Sequence, residues 1–174
     1  MKMTGRREHR VRVAVDVDEP RVREEAQQGR SLGDRVAALL DQPGLAGPHT
    51  NLGMLYLKTK DLEQAQQSLQ KAVELNPASV IAHNYLGIVY RNLGRFDEAE
   101  KAYLKALEIN NQYDYAHLNL GILYDLYKTD SQKALSHYRQ YLELTDQPDK
   151  TVEKWVVDLQ RRSTARRKAN EVRG

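Results

Sequence analysis

The sequence predicts an all-α fold, an α-solenoid of stacked helix pairs, on three observations. The chain repeats itself: His49, His83 and His117 stand 34 residues apart, as do Leu52, Leu86 and Leu120; Gly53, Gly87 and Gly121; and Tyr56, Tyr90 and Tyr124. A fixed period of this length marks stacked repeats, each one supersecondary unit. Second, the residues after each block have helical spacing: Leu62, Ala65, Leu69, Ala72, Val73 and Leu75 form one apolar stripe with Gln, Glu and Lys between them. Third, small residues recur at Gly53, Gly87 and Gly121 and at Ala65, Ala99 and Ala134. Paired helices must approach within about 8–10 Å there, and a large side chain would cost about 1–3 kcal/mol by overpacking.

Each element follows in order. Residues 1–30 are mostly charged and expected to be disordered. Within them, the stretch from Arg10 to Asp18 alternates apolar and charged residues with period two. That strand signature is self-complementary about Ala14, so a second copy could pair with it and make a homo-oligomer. Residues 31–45 fit the second helix of a half-repeat, with Pro43 standing 34 before Pro77. Three repeats are expected at 46–79, 80–113 and 114–148, Asp61 with Gln64 supplying an N-cap for the second helix of the first. Ala134 and Tyr138 arrive one residue late, which places a single insertion between Tyr124 and Ala134. Residues 149–174 give a capping helix with an apolar stripe of Val152, Trp155, Val156 and Leu159. It ends in a basic run of Arg161, Arg162, Arg166, Arg167 and Lys168.

Composition narrows the function. The chain has 174 residues, 29% charged and 40% hydrophobic, with a mean hydropathy of −0.73 and no apolar run approaching a membrane span of about 20 residues. No secretory leader is visible at the start, so a cytoplasmic location is expected, with the periplasm as the alternative for a processed or truncated form. Cysteine is absent, which removes disulfides and thiol chemistry. The net charge of +3 comes from the tail: residues 49–150 carry 11 basic and 13 acidic side chains, residues 151–174 carry 7 and 3. A dedicated nucleic-acid binder would line its binding face with cations, so nucleic acid is an unlikely partner. The sequence also lacks nucleophile-elbow, phosphate-loop, dinucleotide-fold and metalloprotease motifs. No enzyme activity, catalytic residue, metal or cofactor is expected.

The repeated Leu-Gly pair, the tyrosine three residues on, the small alanines and Pro77 together resemble the tetratricopeptide repeat family over residues 46–148. The resemblance implies a right-handed superhelix of helix–turn–helix units. Departures include His at the family's tryptophan-type position, Lys60 and Lys128 where the family's turn glycine appears as Gly94, Asn111 for the terminal proline and Tyr141 for the last alanine. Tyr141 suggests that the third repeat meets something other than a fourth.

In this family the first helices line a concave groove for peptides or partner helices. Carried over by position, the expected groove residues are Asn51, Met54 and Lys58 in the first repeat. The second gives Asn84, Tyr85, Ile88 and Arg91, and the third Tyr115, Asn119, Ile122 and Asp125. Amides carry both donor and acceptor, so a row of Asn could pair with an extended backbone. The family's clamp for C-terminal carboxylates is absent: its places read Thr50, Met54, Tyr85, Tyr115 and Asn119. The histidine ladder is expected to pack between paired helices, since neighbouring repeats are too far apart to share a metal. The leading expectation is a protein-binding scaffold that assists assembly of a larger complex. The alternatives are a basic tail that binds nucleic acid or an anionic surface, and a self-associating structural element.

Overall fold

A computed structural model describes residues 45–146 and 149–171, the last six of these as helix backbone alone. The segment at 1–30 and nearly all of the half-repeat at 31–45 lie outside the described residues. Seven helices follow in order among them: α1 Ala46–Lys58, α2 Leu62–Leu75, α3 Val80–Asn92, α4 Phe96–Ile109, α5 Asp114–Leu126, α6 Ser131–Leu144 and α7 Lys150–Glu171. They pack as three pairs, α1 with α2, α3 with α4 and α5 with α6, each stacked on the next, and α7 lies against α6.

Local chemistry sets the helix boundaries. The Asp61 and Asp130 carboxylates accept the Gln64 and Lys133 amides at 3.2 and 3.1 Å, closing the starts of α2 and α6. Ser79 does the same for α3 through the Ala82 amide. Asn76 and Asn110 end α2 and α4, and each turns the chain by accepting the amide two residues on. Within each pair the helices touch at the glycine. A methyl group added at Gly53 would stand 2.4 Å from Leu69 Cγ, one at Gly87 2.4 Å from Tyr103 Cε1, and one at Gly121 2.4 Å from Tyr138 Cδ1. Leu69, Tyr103 and Tyr138 are fully or almost fully buried over those glycines.

The pair turns correct one reading of the sequence. The left-handed residues are Lys60, Gly94 and Thr129, at φ 64°, 76° and 54°; Lys128 is not among them. In all three turns the next residue donates its amide to the carbonyl of the ladder tyrosine at 2.9 Å: Asp61 to Tyr56, Arg95 to Tyr90 and Asp130 to Tyr124. The third loop reaches back one residue further. Leu123 accommodates this by accepting the amides of both Tyr127 and Lys128, at 3.1 and 3.0 Å, which widens the last turn of α5. The inserted residue is therefore absorbed before the left-handed position, so both the closing bond and the Asp130 cap are kept.

The third pair is closed by α7. Val152 and Leu159 are each 1% exposed, and the Trp155 ring packs 5.7 Å from that of Tyr138. Tyr141, the residue in place of a small alanine, donates its hydroxyl to Asp149, whose carboxylate accepts the Thr151 and Val152 amides and caps α7. That bond explains the departure: the large side chain reaches across to fix the start of the capping helix.

Urea unfolding of three variants checks these contacts. Trp155→Ala should cost about 3–5 kcal/mol, since the ring fills the seam between α6 and α7. Thr129→Gly should gain about 0.5–1 kcal/mol by relieving the left-handed strain of a β-branched residue, after the extra chain entropy of glycine is subtracted. Lys128→Gly should lose stability instead, because it discards ion pairs and relieves no strain; a gain there would return the turn to Lys128.

Candidate functional site

The first helices of neighbouring pairs approach one another, α1 with α3 and α3 with α5, while the second helices make no comparable approach. The stack therefore closes on the side of α1, α3 and α5, which form its inner face. The structure divides the expected groove residues of that face into two sets. Asn51 and Lys58 are exposed, and Met54, Tyr85, Ile88 and Tyr115 are half-buried. Asn84, Arg91, Asn119, Ile122 and Asp125 are buried, at 2%, 3%, 5%, 2% and 8% exposure.

Burial corrects the idea of a free row of amides. Asn119 Nδ2 donates to Asn84 Oδ1 at 3.1 Å, and Arg91 Nη1 donates to Asn119 Oδ1 at 3.2 Å. The two amides bind each other across the seam between α3 and α5, because a buried amide without a partner is costly. Of the expected asparagines only Asn51 keeps an exposed side chain. Ile122 belongs to the core shared with α7. The Asp125 carboxylate, with a side chain 1% exposed, accepts from Arg162 Nη2 at 3.1 Å, and Arg162 also stands 3.7 Å from Asp158. Arg162 is thus held at the third pair and does not belong to a freely solvated basic run. The open surface centres on the first two pairs and Tyr115.

Charged contacts tie the turn of each later pair to the preceding second helix. Arg95 donates to Gln66 at 2.9 Å and pairs with Glu98. At the next seam Lys128 pairs with Asp97 at 2.7 Å and with Glu100, which also accepts the Tyr124 hydroxyl. Burial raises the Glu100 carboxyl, but the Lys128 and Tyr124 hydrogen bonds outweigh it and hold the group below its ordinary range.

The histidines bond to loops. His83 Nε2 lies 3.0 Å from the Pro77 carbonyl and His117 Nε2 3.1 Å from the equivalent Asn111 carbonyl, so each imidazole pins its helix to the loop that closes the preceding pair. With Nε2–H donating there, His117 Nδ1 is left to accept from His137 Nδ1 at 3.0 Å. The sequence reading missed His137. Its signal was present: the residue before Leu69, Tyr103 and Tyr138 is Ser68, Ala102 and then His137. His137 stacks on Tyr124 with 5.7 Å between rings, and Lys133 lies 4.9 Å from that ring's centre. Burial pushes the His137 imidazole down to about 4, helped by the nearby His117 and Lys133 and opposed by Glu100. No third ligand gathers there: among the described residues no group of three or more His, Asp or Glu could hold a metal. No helix among them is long and apolar enough to cross a membrane.

Residues 50–114 match a tetratricopeptide repeat family model. Among solved structures, the Arabidopsis OM64 TPR domain superposes with a TM-score of 0.63 at 22% identity, covering 67% of this chain and 95% of that one. The first TPR of Spaghetti (RPAP3), bound to the HSP90 peptide SRMEEVD, superposes at 0.65 with 18% identity, covering 70% and 95%. MamA superposes at 0.57 with 26% identity, covering 63% of this chain and 66% of its own. No curated protein matches the chain at the sequence level.

The His137 environment makes stability pH-dependent. The ordinary histidine value is 6.5, so the unfolded chain takes up the proton before the folded one does. This contribution is complete above about 6.5 and is lost as pH falls toward 4. Thermal melts should show a lower Tm at pH 5 than at pH 7.5, and His137→Gln should shrink that difference. An unchanged difference in the variant would assign the effect elsewhere.

Proposed function

Because the chain carries tetratricopeptide repeats, we propose that it is a protein-interaction scaffold that holds an extended segment or a helix of a partner on the inner face of α1, α3 and α5, and that it acts in the assembly of a larger complex, not as a catalyst. The observation that carries this reading is the open stripe of Met54, Tyr85 and Ile88, all half-buried, with Tyr85 packed against the core of the first two pairs and Ile88 against that of the last two. A stripe of this kind offers apolar area whose side-chain entropy is already spent, which favours binding. Asn51, Lys58 and Asn92 flank it with exposed polar groups. The RPAP3 domain, which has the same fold, is bound to an HSP90 peptide, and this supports a peptide-binding reading. Three pairs give a short surface, so a modest affinity is expected.

The useful substitutions are those that leave the Asn84–Asn119 bond alone. Met54→Ser, Tyr85→Ala and Ile88→Ser combined should abolish capture of partners in a quantitative pull-down, while the far-ultraviolet circular dichroism keeps its helical form. Capture that persists in the folded triple variant would remove this face from the function.

A further inference from the structure

Arg91 is 3% exposed, and among the described residues no carboxylate lies within ion-pair distance of it. Its hydrogen-bond partner there is the neutral amide of Asn119. Its charge is felt by the Tyr103 hydroxyl, which is itself sealed without a partner. A buried cation is ordinarily paired with an anion, because removing it from water is costly. The carbonyl end of α3 offsets part of the charge, yet exposed Lys58 serves the same end of α1 without being buried. No Arg91 nitrogen is among the sealed atoms that lack a partner, so the donors Asn119 does not use keep access to solvent.

The charges of the whole array point the same way. Helix α1 carries Lys58 as its one charged residue and α3 carries Arg91, with no carboxylate on either. The helical carboxylates of the first two pairs lie on α2 and α4, as Glu63, Glu74, Asp97, Glu98, Glu100 and Glu108, and Asp61 caps α2 in the turn before it. On α5, Asp125 is already matched by Arg162, and Asp114 stands at the first residue of the helix, where its carboxylate accepts the Tyr115 amide. The open part of the inner face is therefore cationic beside an acidic outer layer. We propose that it takes an acidic segment of a partner protein, one carboxylate side chain of which pairs with Arg91 while a neighbouring apolar residue rests on Tyr85 and Ile88. This rests on the groove reading above. It differs from the clamp for terminal carboxylates, whose positions hold Thr50, Met54, Tyr85, Tyr115 and Asn119. The largely buried guanidinium supplies strength and selectivity: an amide in place of the acid leaves the cation unmatched.

The test pans a random dodecapeptide display library on the full chain, then titrates the selected peptides, fluorescently labelled, by anisotropy. Selected peptides should carry an Asp or Glu whose replacement by Asn or Gln weakens binding about tenfold or more. Arg91→Gln should cost the parent peptide a similar factor, and Arg91→Lys should restore most of it. Peptides that need Tyr85 and Ile88 but are indifferent to the acid-to-amide change would overturn the acidic partner and leave the groove standing. Binding that survives Tyr85→Ala with Ile88→Ser, or a panning that yields no groove-dependent peptide, would count against the groove itself. The peptide-side replacement needs no altered protein, so the answer does not depend on how well Arg91→Gln folds.

Discussion

The close contact between Gly53, Gly87 and Gly121 and the large side chains opposite them sets the geometry of everything else. With no Cβ at these three positions, Leu69, Tyr103 and Tyr138 lie flat against the partner backbone. The helices of each pair can then come close enough to bury their alanines completely. No pair can bury its outer faces alone, so the pairs stack, and their stability is shared between neighbours. The inner face follows from this spacing. Because the first helices approach one another more closely than the second ones do, the array bends toward them.

Polar chemistry at the seams then decides how much of that face remains available. Between the second and third pairs, Arg91, Asn119 and Asn84 form a buried chain of hydrogen bonds. At the third pair, α7 and the Arg162–Asp125 contact cover what a free groove would have shown. These contacts hold the pairs in register and leave the open surface mostly on α1 and α3. The same interior gives the His117–His137 pair its tautomers and disfavours a second positive charge beside Lys133.

Much of the fold was legible in the sequence because the repeat imposes one environment on equivalent residues. The helix pairs start at Ala46, Val80 and Asp114, where the period places them. The capping stripe from Val152 to Leu159 was legible for a different reason: an apolar face on a charged helix has to be covered. The turn at Thr129 was not legible, because an insertion can be placed by counting only to within a few residues. Backbone hydrogen bonding chose among those residues. The groove was legible as a face and not as a set of contacts. Position in a repeat says which way a side chain points, but not whether the next repeat carries an amide to bind it. Asn84 and Asn119 therefore read as ligand-facing until their 3.1 Å bond is seen. His137 was not legible as a site because it has no counterpart in the other repeats, where Ser68 and Ala102 stand, and its contact with His117 depends on how α5 and α6 pack.

The Tyr141–Asp149 bond has a consequence for how copies of this protein can associate. Repeat arrays with a bare terminal face are prone to head-to-tail stacking, in which one molecule supplies the missing neighbour of the next and a filament grows without closing. Here the hydroxyl of Tyr141 fixes the first turn of α7, and the helix lies against α6 on the face of the third pair. Its outward side shows Glu153, Lys154 and Arg161 to solvent. Stacking of another copy on this face of the third pair would require α7 to peel away and Trp155 to be exposed.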